Sequence, residues 1–531
     1  MLRVPIAIAV IFALVSGASI ETTAADSRSG ISWPQGQALP HFAVAKHVDA
    51  ASIDGLPADQ QLMFTSLQGM VNRTRPRIYL TQPGDEGTFT WLTNGLGVGY
   101  TLLDSPWQLL SQYRDQVQGT VVYDPAVPDS FNVATTLAGL QDALAVSPEL
   151  AAQLAAPPYQ IPVIEDLRGR FTSRLDAYTW QYEHLWPEAT HRMLVALDPQ
   201  AHFGFLRDYA VANRAMVFWL DANVPGERAL FERILSDVAP YTPYLGWFGQ
   251  DVAGEFSGTQ LCSEHSVYVL AADWFSNMTV WSGTRGSTTA PPAPLTPALE
   301  NKIYVTFTMS EGDNLQYNQR RMRLIWDDPG RGSVPINWTT SPLLVDAAPA
   351  MLNYYQRTAS ANDLFMAGPS GAGYINPTPW PDATFPIYTS QTARYMAATG
   401  INTVYVLNSV DGNDVPLSTS EAQGYINDVK PKGIMIHWAD HTETTVLNGT
   451  TPQSVIRGTG DVAEAKTAIA DASANWKGKS PLFLSIGIFA FNMKPTDVAQ
   501  VAASLGSDYR VVRADQFFDL ARKANGLPAV P

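Results

Sequence analysis

The chain has 531 residues, 46% of them hydrophobic and 16% charged, which excludes a disordered protein and a single small core. A formal net charge of -15, with no block of Lys or Arg anywhere, argues against nucleic acid as a partner, because phosphate backbones are repelled. The single cysteine, Cys262, excludes an intrachain disulfide and fits a small buried hydrophobe.

The first residues read as a secretory signal. Arg3 supplies the positive start, residues 4–15 an apolar run too short for a good membrane span, and small residues follow up to Ala25. The expectation is a signal over 1–25 and a secreted, periplasmic or extracellular mature chain with no membrane span.

From residue 26 to 260, short apolar runs alternate with amphipathic stretches. "PRIYLT", "GTVVYDP", "YQIPVIED", "MLVALDP" and "AMVFWLD" are each bounded by Pro, Gly or Asp. Alternating strand and helix predicts an N-terminal α/β domain with a mostly parallel sheet.

A Pro/Ser/Thr-rich stretch over 283–302 predicts a long loop. The second domain is placed at 261–531, starting just before "SVYVLAADW". That run and "KIYVTFTM", "VPINWTTSP", "DLFMA", "NTVYVLNSV", "KGIMIHWADH", "SPLFLSIGIFAFN" and "YRVVRADQF" share one form, an apolar run with a polar or glycine-rich tail. Fully apolar strands with helical spacers predict a parallel sheet covered on both faces. About eight in series predict a (β/α) barrel of seven or eight strands, with a doubly wound open sheet as the alternative.

In either architecture the chemistry belongs at the carboxyl ends of the strands. The tails there supply Asp273, then Glu311, Asp313 and Asn314, then Asp411, then Asp440 and His441, with His437 inside its strand. Two carboxyl groups flanking a glycosidic bond are the requirement of most glycosidases. The catalytic candidates are Asp313, Glu311, Asp411 and Asp440; Asn314, Asp273, His437 and His441 are candidates for substrate binding. Asp313 is favoured over Glu311, since its shorter side chain costs less entropy to fix and Asn314 lies beside it. Asp313, His437 and His441 could instead hold a divalent cation, as in metal-dependent deacetylation. The two histidines straddle a strand end, so no helix-face argument supports them. No cofactor is called for.

The loop after "DLFMA" reads "GPSGAGYINP", residues 368–377. Gly371 and Gly373 predict a close approach of backbone to something else, either a ligand met by Tyr374 and Asn376 or a tight turn with Tyr374 packed beneath it. Here the sequence resembles the family named for its GxGYxYP signature, with Asn376 where the signature has its second tyrosine. "MSEGDNLQYN" and the run leading into the loop extend the resemblance, which covers most of the mature chain. It implies a secreted two-domain protein with a barrel-like C-terminal domain, acting as a glycoside hydrolase on an extracellular poly- or oligosaccharide. The alternatives are a metal-dependent carbohydrate deacetylase and a carbohydrate-binding protein without catalysis.

Overall fold

The structure, a computed structural model, describes residues 30–82, 88–249, 251–289, 292–311 and 314–530. The apolar runs of the N-terminal part form three separate parallel sheets. β1 (His47–Ser52) lies between β2 (Ile78–Thr81) and β3 (Gly99–Leu102); β4 (Gly119–Val122) lies between β5 (Ala143–Val146) and β6 (Val163–Asp166). The third sheet holds β7 (Leu194–Ala196), β8 (Val217–Phe218), β9 (Thr242–Gly246) and β10 (Val267–Leu270) in the order β8-β7-β9-β10. The expected α/β pattern with parallel pairing holds over this part, divided among three sheets, of which β3 and β6 are largely exposed edge strands.

"SVYVLAADW", expected in the barrel, supplies β10 instead. It pairs in parallel with β9 from Thr242↔Val267 to Leu245↔Leu270. The helix Asp251–Glu264 joins the two, so the nearer strand in sequence wins the pairing.

The second half closes into a parallel barrel of seven strands: β11 (Ile303–Met309), β12 (Ile336–Thr340), β13 (Asp363–Ala367), β14 (Val404–Val406), β15 (Ile434–Ala439), β17 (Thr451–Thr459) and β18 (Leu482–Ile488). β18 returns to β11 in register from Ile303↔Leu482 to Met309↔Ile488. β16 (Thr444–Leu447) runs antiparallel to β17 outside the ring. The run "YRVVRADQF" gives β19 (Tyr509–Val511), which takes the lower part of one β11 edge at Ile303–Val305, while β12 takes the upper part at Thr308–Met309. One edge shared by two strands is why β19 adds no eighth stave.

Asn337 of β12 fills that junction. Its amide donates to Thr306, Thr308 and the carbonyl of Phe307 and accepts the N–H of Ala514, so a fully buried polar group is satisfied. The largest hydrophobic cluster runs from the barrel through the third unit to Trp91 and Tyr79 of the first. The third unit is therefore packed on the barrel as core. No helix among the described residues is long and apolar enough to cross a membrane.

Candidate functional site

β11 delivers the first site residues to the barrel mouth. Beyond Met309, Ser310 donates its hydroxyl to Glu311 Oε1 at 3.0 Å and accepts the N–H of Ala490 at 3.2 Å, which ties the ends of β11 and β18 together. Burial pushes the Glu311 carboxyl above its ordinary range, against a smaller pull from the Ser310 bond. Asp313 lies outside the described residues. Asn314 caps the short helix Leu315–Gln319 by accepting the N–H of Tyr317 at 3.3 Å.

That helix seats the tail of β10. Leu315 N–H donates to the carbonyl of Ala271, Gln316 Oε1 accepts the N–H of Trp274 at 2.7 Å, and Gln319 Oε1 accepts the N–H of Ser276 at 2.8 Å. Asp273 is thereby held at the junction of the third unit and the barrel. It is 8% exposed, its Oδ1 is buried without a hydrogen-bond partner, and burial pushes its pKa up to about 6 despite a bond from Gln316.

Exposed aromatic rings bracket this segment. Among the described residues the exposed ones are Tyr100, Trp274 and Phe491. Trp274, 40% exposed, lies 4.4 Å from the His202 ring and 4.9 Å from the Arg320 guanidinium. Phe491, 48% exposed, packs edge-on to Tyr317, and its carbonyl accepts from Arg321. Burial lowers the His202 pKa to about 4, so its imidazole is neutral at pH 7. Trp274, Phe491, Gln316 and Arg320 were not singled out in the sequence. The available signal was an aromatic inside the polar tail of a strand, and a Gln and an Arg four apart on a helix.

The signature loop sits elsewhere. Tyr374 is 1% exposed within the apolar core of the third unit, and its backbone exchanges both hydrogen bonds with Val269 of β10 at 2.9 Å. The backbone at Gly373 has φ +104°, and a Cβ there would lie 2.2 Å from the Tyr268 ring. At Gly371, φ is +150° and a Cβ would meet Thr392 and the Tyr388 hydroxyl. Tyr241 and Tyr388 donate their hydroxyls to the carbonyls of Ala372 and Gly373. Asn376 is fully buried; its Oδ1 accepts from the backbone and hydroxyl of Ser409, and its N–H donates to Ser263. What approaches this backbone in the structure is the protein's own tyrosines, and the loop clasps the third unit to the barrel.

The other candidates spread around the mouth. Asp411, in the hairpin after β14, accepts weakly from Gln260 of the third unit and donates its N–H to that side chain at 2.8 Å. His437 stands at a bulge in β15 with φ +61°, its Nδ1 3.6 Å from Asp414 Oδ1. Burial pulls the His437 pKa down, Asp414 opposes that, and His441 adds to it. Asp440 is fully exposed and hydrogen-bonds only to the neighbouring, exposed His441 among the described contacts. The structure thus joins Glu311, Asn314 and Asp273 along one seam and leaves Asp440 in solvent. No group of three or more His, Cys, Asp or Glu among the described residues is arranged to hold a metal ion.

A closed parallel barrel of seven strands, preceded by three parallel α/β units, defines a multidomain α/β barrel protein. Comparison of the sequence makes this specific: the chain belongs to the GxGYxYP family. The model described as "GxGYxYP putative glycoside hydrolase C-terminal domain" matches residues 301–522. The family's first, second and third N-terminal domains match 47–115, 117–189 and 191–283, one to each of the three sheets. The fold is similar to the crystal structure of "a putative hydrolase from Bacteroides thetaiotaomicron VPI-5482", with a TM-score of 0.79 at 23% identity over 93% of this chain and 99% of that one. No curated protein sequence matches.

Proposed function

We propose that the protein is an exported glycoside hydrolase that cleaves an extracellular poly- or oligosaccharide at the barrel mouth. The observation that carries this is the strand end at Glu311 together with the helical segment from Asn314 to Arg321. It presents a carboxyl group driven towards its protonated form, and it is bound on one side to exposed Trp274 and on the other to exposed Phe491. Exposed aromatic rings beside an acid suit a sugar, whose C–H faces stack on rings while its hydroxyls take hydrogen bonds.

In this mechanism Glu311 protonates the departing glycosidic oxygen. A second carboxylate either takes a proton from a water as that water attacks the anomeric carbon, or itself attacks to form a glycosyl-enzyme ester, which water deprotonated by Glu311 then hydrolyses. Asp313, two residues along, is proposed for that role, with Asp273 binding the sugar. Separation of the two carboxyl groups selects the outcome: roughly 5 Å gives retention and about 6.5–9.5 Å inversion. The family description supports carbohydrate as substrate, and Arg3 with the following apolar run supports export.

The test is release of reducing ends from a panel of polysaccharides by the wild type and by Glu311→Gln and Asp313→Asn. The expected loss in kcat is on the order of 10²-fold or more for each. Folded variants with native turnover would remove these residues from the mechanism. Sugar binding with no turnover by the wild type would reduce the protein to a binding module.

A further inference from the structure

We propose that the groove between the third unit and the hairpin after β14 is a second saccharide subsite, built for an uncharged sugar residue. This rests on carbohydrate being the ligand at the mouth. The groove has a volume of about 370 Å³, within the roughly 300–1,000 Å³ of small-molecule sites. Asn223, Arg228, Phe256, Gln260, Glu264 and Asp411 line it.

These side chains come from both halves of the chain. Asn223 follows β8, Arg228 lies on the helix Pro225–Ser236, and Phe256, Gln260 and Glu264 lie on the helix Asp251–Glu264. Asp411 is in the hairpin Ser409–Asp414 that leaves the carboxyl end of β14, the same end of the barrel that carries Glu311. A glycan chain lying across that end therefore has binding groups beyond the reaction centre.

The chemistry is that of a sugar site. Two amides, a guanidinium and two carboxylates are planar forks, each able to take a pair of neighbouring hydroxyls. Phe256 adds a ring for a C–H face. All of these forks but Asn223 are already oriented. Gln260 accepts the Asp411 N–H at 2.8 Å, and its Nε2 reaches Glu264 Oε1 at 3.0 Å and Asp411 Oδ1 at 3.4 Å. Arg228 is held by Glu232 at 2.8 Å and lies 3.6 Å from Glu264. Rigid, preordered groups lose less entropy on binding.

Charge selects the class of sugar. Glu264 and Asp411 face the groove, and the one cation, Arg228, is shared with Glu232. On a protein of net charge -15 this disfavours uronate, sulfate and phosphate groups.

The experiment is native gel electrophoresis of the full chain through gels containing xyloglucan, galactomannan or mixed-linkage β-glucan, and through gels containing polygalacturonate or heparin. Glu311→Gln is the background, so that the embedded polymer survives. Retardation by at least one neutral polymer is expected, weakened about tenfold in Kd by Phe256→Ala and by Asn223→Ala. Asn223 is exposed and its side chain makes no described hydrogen bond, so its loss leaves the fold intact. The proposal is overturned if no neutral polymer retards the protein, if the acidic polymers retard it more, or if Asn223→Ala binds as the background does. Wild-type hydrolysis of the same polymers separates the two ideas. Groove-dependent retardation without cleavage removes the hydrolase and keeps the subsite; cleavage with an unchanged KM in Asn223→Ala does the reverse.

Discussion

Replacing Gly373 by alanine distinguishes a clasp from a ligand site. The new Cβ would stand 2.2 Å from Tyr268 Cδ2, 2.7 Å from Cγ and 3.0 Å from Cβ, all inside contact distance. Tyr268 cannot swing away: it is fully buried and its ring lies 4.5 Å from that of Tyr241, which is itself bonded to Ala372. Overpacking of this kind costs about 1–3 kcal/mol. Forcing a side chain into φ +104° adds about 1–3 kcal/mol more. Together they remove about 2–6 kcal/mol, a large part of the roughly 5–15 kcal/mol that holds a typical domain. The assay is a thermal melt with limited proteolysis, read at the junction of the third unit and the barrel. The expected result is a melting point lower by about 5 °C or more and new cleavage at that junction. A Gly373→Ala protein that melts like the wild type but no longer binds glycan would refute the clasp and restore the loop as a ligand site.

Further outcomes follow from the same contacts. Asn376→Ala strands the Ser409 hydroxyl and N–H in the core and should cost about 1–3 kcal/mol in a denaturant titration, with kcat unchanged in the folded fraction. Asp273 has a folded pKa of about 6 against 3.8 unfolded, so the native state holds the extra proton and stability falls as pH rises through that window. Asp273→Asn should therefore raise the stability at pH 7 by up to about 3 kcal/mol and leave it unchanged below pH 4; equal effects at both pH values would show that the carboxyl is not destabilised by burial. Incubation with EDTA should leave hydrolysis intact, and loss of activity restored by a divalent cation would favour the deacetylase chemistry instead. Mass measurement of the chain from its native host should find the first residues removed near Ala18 or Ala25; a cytoplasmic chain starting at Met1 would sink the export proposal.

Much of this was legible before any coordinates. A barrel strand such as β11 is buried at every position and carries no charged residue because both of its faces are covered, so its composition and flanking tails locate it without knowing its neighbours. The signature glycines announced a close approach, since only a missing side chain permits φ near +104° at that spot.

What approaches, and which strands pair, the sequence alone could not decide. Residues 267–270 are as apolar as barrel strands, yet they join the third sheet, and residues 509–511, half-buried with Arg510 at their centre, lie below the mouth on a shared edge of β11. Pairing is a choice among edges of similar composition, made by which partner is near and free in the folded chain. Tyr374 likewise looked equally ready to stack on a sugar or to sit in a core; the bridge to Val269, about a hundred residues earlier in the chain, settled its burial. Glu311 could be named from its strand, but its raised pKa comes from burial at a strand end that is tied to a distant segment through the Ala490 N–H bond to Ser310. Desolvation depends on every segment that excludes water from a group, and those meet only in three dimensions.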